Sequence, residues 1–266
     1  MNSKIKERQF LGVAKNAASQ AGKFLLEKFE RVEKIGYKGE GHTNPVSEVD
    51  GEAEKTILNI INNSFPEHNF ISEEKGIIDA SSDYTWIIDP LDGTINFIHN
   101  YKYFGVSIAL SYQEEIILGV VYNPLTDELF TAVKGEGAYL NEKRIQVSKI
   151  MNLEESLLVT GFSYEHSSEV FNRSIEYFIR LLRKTQAIRR DGSAALDLCN
   201  VGCGRYDGFW LAGGKLWDWA AGIIIVTEAG GEVTNFKGEP FYVNENEILA
   251  TNGKIHDVIL KYLKEG

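Results

Sequence analysis

The chain has 266 residues, 43 % hydrophobic and 25 % charged, a make-up that excludes a mainly disordered or collagen-like protein. With 28 Lys and Arg against 38 Asp and Glu, the formal net charge is −10, so the chain lacks the basic field that draws proteins to nucleic acid or anionic lipid. An anionic substrate would need another attractor, and a bound metal ion is the first candidate.

In chain order, Phe10, Val13, Ala14, Ala17, Ala21, Phe24, Leu25 and Phe29 recur at helical spacing and predict one amphipathic helix over 5–29. A loop rich in glycine and charge follows over 36–44. Ser47 with Asp50 three residues on reads as a capping box, opening a helix that carries Ala53, Ile57, Ile60 and Ile61 and ends before Pro66. Strands are expected at 69–72, stopping at Glu73-Glu74, and at 84–88, stopping at Asp89-Pro90. Two paired strands at 104–112 and 116–122 come next, then a turn at Asn123-Pro124 into a strand over 128–133. Gly135-Glu136-Gly137 reads as a bulge or loop.

The second half alternates strands at 157–160, 186–190, 206–211 and 248–251 with helices at 170–182, from 193, at 217–228 and at the end. No repeat or low-complexity linker divides the halves, which are expected to share one cleft. Cys199 and Cys203 are too few for a disulfide scaffold and read as small core residues rather than a metal or redox pair. Residues 1–7 carry no apolar targeting segment, and the longest apolar run, 220–227, is too short to span a bilayer. The expectation is a cytoplasmic protein without membrane or nucleic-acid partners.

Asp89-Pro90-Leu91-Asp92-Gly93-Thr94 carries the most chemical information. A buried strand delivers two carboxylates to its C-terminal end, Pro90 stiffens the turn between them, and Gly93-Thr94 open a helical turn whose N–H groups can hold an anion. Carboxylates beside an anion repel it unless cations stand between them, which points to a metal-bridged phosphate. A plain Asp-Gly reversal explains the same residues taken alone. Glu73 gains little from its strand end, and Asp218 opens an otherwise apolar helix, where a capping role would also account for it. All four acids stand at element ends, and an all-oxygen set favours Mg²⁺ over Zn²⁺.

Asp89-Pro90-Leu91-Asp92-Gly93-Thr94-Ile95-Asn96-Phe97 resembles the first signature of the inositol monophosphatase family of Mg²⁺-dependent phosphatases. Trp217-Asp218-Trp219-Ala220-Ala221-Gly222 with Glu228-Ala229-Gly230-Gly231 resembles the second. Residues 44–50 and Ile71-Ser72-Glu73-Glu74 are similar to the motifs that precede them, and the resemblance spans nearly the whole chain. It implies a layered α/β/α/β/α sandwich of α/β class, with residues 1–150 carrying the metal and phosphate signature and 151–266 closing the cleft. It also implies a homodimer and lithium sensitivity.

By the same resemblance, Glu73, Asp89 and the Leu91 carbonyl would hold one Mg²⁺, and Asp89, Asp92 and Asp218 a second. A third, weaker ion would lie near Glu73. Gly93 and Thr94 would contact the phosphate, and Gly192-Ser193-Ala194 would line the substrate pocket. Asp50 with Thr94 would orient and help deprotonate the attacking water, beside Asp50's role in the cap. Ser193 has no motif-matched His to make it a nucleophile, and the five histidines are scattered. One position departs from the family pattern. Leu211 stands where a Glu contacts ring hydroxyls, which leaves open whether the substrate is inositol 1-phosphate, fructose 1,6-bisphosphate, histidinol phosphate, adenosine 3′,5′-bisphosphate or NADP. The loop 37–42 is slightly longer than the family's, and Lys38 and Lys215 are candidate substrate contacts. A regulatory, protein-binding role on the same fold is the alternative of another class.

Overall fold

The computed structural model describes residues 3–31, 35–37, 45–241 and 245–264. The expected loop lengthening and the candidate contact Lys38 fall at 38–44, outside the described residues.

The amphipathic N-terminal pattern forms helix α1 (Ser3–Lys28), whose buried Phe10, Ala14, Ala17, Ala21 and Leu25 lie on one stripe. A two-stranded ribbon, β1 (Ile35–Tyr37) with β2 (Pro45–Ser47), leads into α2 (Glu48–Ser64). The expected capping box is present: Val49 N–H donates to Ser47 Oγ, and Asp50 Oδ2 accepts from the Ser47 amide at 2.8 Å.

An eight-stranded sheet follows, in the order β10-β9-β8-β7-β6-β5-β3-β4. Its strands are β3 (Asn69–Ser72), β4 (Gly76–Ile78), β5 (Tyr84–Asp92), β6 (Gly105–Tyr112), β7 (Glu115–Asn123), β8 (Glu128–Val133), β9 (Gly137–Leu140) and β10 (Lys143–Arg144). Helix α3 (Thr94–Ile98) interrupts it after β5. Only the β3–β5 pair is parallel. Both faces of the central strands are buried. Trp86, Ile88, Val106, Ile108 and Leu110 face α1 and α2, whereas the alternate residues Ile87, Ala109 and Val121 belong to the core on the other side.

The second half supplies β11 (Leu157–Thr160), α4 (Glu169–Leu182), β12 (Ala187–Arg189), α5 (Ala194–Gly202), β13 (Gly208–Ala212), α6 (Leu216–Glu228), β14 (Glu232–Thr234), β15 (Glu247–Thr251) and α7 (His256–Lys264). Its strands form a five-stranded sheet in the order β12-β11-β13-β15-β14. Helices α5 and α6 lie between the two sheets and are apolar on both sides. Ala195, Cys199, Ala221 and Ile225 meet the larger sheet; Leu198, Val201, Trp219 and Val226 meet the smaller. Helices α4 and α7 cover the outer face of the smaller sheet. The expected α/β/α/β/α sandwich is the observed one. Cys199 is a buried free thiol, and Cys203 ends α5, also free.

Three details differ from the sequence reading. The strand expected to stop at Ile88 continues through Pro90 to Asp92, so Asp89 and Asp92 belong to a strand and not to a turn. Its pairing with β6 shifts register between Asp89 and Asp92, where Pro90 has no N–H to offer the ladder. The short strands β1, β2, β4, β9, β10 and β14 were also outside the expected set, being two to four residues long.

Candidate active site

In a regular strand, residues three apart point to opposite faces. Ile87 faces the α5–α6 layer, so strict alternation sends Asp89 the same way and Asp92 to the far side. The register shift between them cancels that parity. Asp92 instead meets the start of α5, taking the Ser193 hydroxyl at 2.5 Å and the amides of Ala194 and Ala195 at 3.2 and 2.7 Å. The bulge therefore aims both acids into one layer.

Asp218 reaches that layer from the first turn of α6, where its Oδ2 accepts the Lys215 amide at 2.6 Å. The capping bond uses one carboxylate oxygen and leaves the other for a second role. Glu73 follows β3, and its amide donates to the Ile88 carbonyl at 3.3 Å, which sets it beside Asp89. The turn after it is anchored by a residue the sequence reading missed. Glu54 of α2, 1 % exposed, accepts the amides of Glu74 and Lys75, both at 3.1 Å.

On the opposite flank, Asp50 is buried and divides its two oxygens. Oδ2 takes the Ser47 amide and hydroxyl as helix cap, and Oδ1 faces the Thr94 hydroxyl at 3.0 Å. Thr94 Oγ1 also lies 3.1 Å from the Leu91 carbonyl. Gly93, within the first signature, has φ +98°, and a Cβ there would come within 3.0 Å of the Tyr103 carbonyl and 3.3 Å of the Gly192 carbonyl. The backbone crossing requires glycine on both counts.

Electrostatics separates these acids from ordinary surface carboxylates. Burial, followed by repulsion from Glu73, Asp92 and Asp218, pushes Asp89 well above the usual carboxylate range. Burial raises Asp92 to about 6 against the opposing hydrogen bonds from Ser193, Ala195 and Ala194, and raises Asp218 to about 8. Asp50 is raised chiefly by burial as well.

Among the described residues, no three Asp, Glu, His or Cys side chains converge as a finished metal cage. The chemistry of the donor set nevertheless fits a hard divalent cation. The four carboxylates of Glu73, Asp89, Asp92 and Asp218 repel one another, with neither His nor Cys among them. Each of Asp89, Asp92 and Asp218 is held by neutral amide or hydroxyl donors, which fix the oxygens without neutralising them.

A cavity of about 490 Å³ opens beside the acids. Its lining includes Glu73, Asp92, Gly192, Ser193, Ala194 and Asp218, together with Leu211 and Lys215. Ser193 is 1 % exposed and its hydroxyl is spent on Asp92, which agrees with its rejection as a nucleophile. The sequence reading also missed a network behind the cavity. Tyr103 donates to buried Asp197 at 2.8 Å, and Asn200 donates to the Tyr103 hydroxyl at 2.9 Å. Asp197 falls one helical turn after Ser193, a spacing that could have pointed to it.

Residues 6–266 match the model of the inositol monophosphatase family. The chain belongs to the inositol monophosphatase family. It is 44 % identical to a Synechocystis protein named inositol-1-monophosphatase, over 96 % of this chain and 88 % of the relative. It is also 41 % identical to a Pseudomonas aeruginosa protein named Nus factor SuhB, over 94 % of each. The crystal structure of extragenic suppressor protein suhB from Bartonella henselae matches with a TM-score of 0.91 and 39 % identity, covering 97 % of this chain and 99 % of that one. Family membership implies a phosphatase of small phosphate esters, of a kind that generally depends on metal. Among the described residues, no helix is long and apolar enough to cross a membrane.

Proposed function

We propose that the protein hydrolyses small phosphate monoesters with Mg²⁺ as cofactor. The observation that carries this reading is the strand bulge that turns Asp89 and Asp92 into the same layer as Asp218 and Glu73. In this reading Glu73, Asp89 and the Leu91 carbonyl hold one ion, Asp89, Asp92 and Asp218 a second, and a weaker third lies near Glu73. Divalent cations there would supply positive charge beside the ester and the attacking water.

The chain's own groups do the remaining work. Thr94 Oγ accepts a hydrogen bond from the water while passing its own proton toward Asp50 Oδ1, 3.0 Å away. The raised Asp50 carboxylate is a better proton acceptor than a surface Asp. The water oxygen bonds to phosphorus, the bond from phosphorus to the alcohol oxygen breaks, the departing alcoholate takes a proton from solvent, and Asp50 returns its proton to solvent to close the cycle. Gly93 and Thr94 hold the phosphate, and Gly192, Ser193 and Ala194 border it. No covalent enzyme intermediate is required.

Residues 1–150 thus supply the metal and phosphate groups, and 151–266 close the cleft with Asp218 and the start of α5. Inositol 1-phosphate is the first substrate to test, given the name of the Synechocystis relative. Fructose 1,6-bisphosphate, histidinol phosphate, adenosine 3′,5′-bisphosphate and NADP are alternatives. A cytoplasmic homodimer inhibited by lithium completes the reading.

Phosphate release from these five esters, with Mg²⁺ and with EDTA, tests it. Metal-dependent release that Asp92→Asn abolishes, in a variant that still melts cooperatively, is the expected result. Near-normal turnover by that variant would sink the ligand assignment. The Nus factor name of the Pseudomonas relative supports a second, regulatory reading. That reading predicts an Asp92→Asn chain that complements a deletion strain as well as the wild type.

A further inference from the structure

The cavity lining also holds apolar, aromatic and basic residues. Phe162, Tyr164, Leu211 and Trp217 form an apolar and aromatic stretch, and Arg190 and Lys215 are the two basic residues of the lining.

This apolar stretch is built rather than left over. Leu211 is 7 % exposed and fills space that two glycines leave vacant. A Cβ on Gly161 would come within 3.0 Å of its Cδ1, and one on Gly214 within 3.0 Å of its Cδ2. Leu211 and Phe162 offer no acceptor to a hydroxyl set against them, and an unpaired polar group weighs strongly in discrimination.

The basic residues are placed with similar care. The guanidinium of Arg190 lies across Gly192, where a Cβ would stand 2.8 Å from Nη1. Gly192 itself has φ +90°, which ordinary side chains avoid. Both Arg190 and Lys215 are exposed, and neither takes part in an ion pair among the described residues. In a lining that otherwise carries carboxylates, Arg190 and Lys215 supply the positive charge that a second anionic group on a ligand would meet. A guanidinium fork matches a phosphate or carboxylate in two parallel hydrogen bonds, and an ammonium adds a point charge.

We propose that the site prefers phosphate monoesters whose alcohol half carries a second anionic group beside an apolar face. Arg190 and Lys215 bind that second anion, and Phe162, Leu211 and Trp217 pack on the face. The assignment rests on the phosphatase reading above and narrows its substrate class. A nucleoside bisphosphate has both features; a sugar bisphosphate has the anion without the face.

Matched pairs test both halves: adenosine 3′,5′-bisphosphate against adenosine 3′-monophosphate, and fructose 1,6-bisphosphate against fructose 1-phosphate. The second anion is expected to raise kcat/KM about tenfold in the adenosine pair, mostly through KM, and less in the fructose pair. In the double variant Arg190→Gln, Lys215→Gln the adenosine ratio should fall toward one, and Arg190→Lys should retain part of it. Thermal melts establish that the variants fold. A wild-type ratio near one overturns the anion assignment, and equal gains in the two pairs overturn the apolar one. Calorimetric titration of Asp50→Asn with the same pairs in Mg²⁺ gives a readout independent of turnover, with about tenfold tighter binding expected for the bisphosphate. No phosphate release from any ester would overturn the phosphatase reading, while that binding difference would still uphold the second-anion site.

Discussion

Stripping divalent cations should make the folded protein lose stability as pH rises from about 6.5 to about 7.5. Asp218 is held up to about 8 in the fold and Asp89 well above the ordinary range, burial being the first cause for each, against an unperturbed value of 3.8. Between those limits the folded state keeps protons that the unfolded chain has released, so a rise in pH favours unfolding. Each such proton amounts to about 1.4 kcal/mol per pH unit. For a chain of this size that is a fall of roughly 3 °C in Tm. Asp218 provides about one proton across the interval, and Asp89 steepens the loss. Bound Mg²⁺ favours the ionised acids throughout and should flatten the dependence.

Other groups act alike in the two conditions. Asp197, also raised by burial, lowers stability with rising pH whether or not metal is present. His68 and His256 are held down to about 4, so they stabilise the fold as pH rises toward their unfolded value of 6.5 and add little above it. The measurement is therefore the difference between two series of calorimetric melts, one in EDTA and one in Mg²⁺. The gap in Tm should widen by about 3 °C or more over this pH unit. Parallel series would mean that these acids do not titrate against the metal, and the proposed ligand set would fall.

Ser193→Ala removes the 2.5 Å hydrogen bond that aims Asp92, a charge-assisted bond worth about 1.5–3 kcal/mol. Steady-state kinetics should show kcat/KM lowered at least tenfold and a higher Mg²⁺ concentration needed for half-maximal rate, and unchanged values would mean the amides of Ala194 and Ala195 suffice. Thr94→Val keeps the shape and removes the hydroxyl between water and Asp50. Its kcat should fall by about a hundredfold with KM little changed, and a pure KM effect would contradict the relay. Gly119→Ala probes the seat of α6, since a Cβ there would lie 2.6 Å from the Ala221 carbonyl and 2.6 Å from Ile224. Chemical denaturation should register a loss of about 1–3 kcal/mol, and an unaffected midpoint would show that α6 can shift freely.

How far the sequence anticipates this site depends on whether the signal is local. The Ser47–Asp50 cap is a four-residue pattern, and the structure reproduces it bond for bond. The second role of Asp50 spans 44 residues to Thr94, and only the resemblance suggested it. Asp89 and Asp92 were legible as a pair, but the spacing of three read as a turn. The pairing of β5 with β6, which decides that it is a bulge, is invisible until the partner strand is in place. Ser193 reached the right pocket through a motif, yet its bond to Asp92 joins residues 101 apart. Glu54 reads as one more polar residue on an amphipathic helix, and nothing local marks its hold on the turn after Glu73. The layers came from the resemblance, and the structure gives their physical reason: α5 and α6 are apolar on both sides and lie between the two sheets.

That inner layer also bears on motion. Helix α6 touches strands β5 to β9 of one sheet and β14 and β15 of the other, and it carries Asp218 at its tip. Its seat at Gly119 allows the helix backbone to rest directly on β7. A sliding of one sheet against the other must therefore drag this helix, and with it one acid relative to the pair on β5. Breathing of the sandwich and dispersal of the acid cluster are mechanically one event. Amide protons of α6 should exchange with solvent only through openings that also dismantle the site, at rates set by the most protected part of the fold.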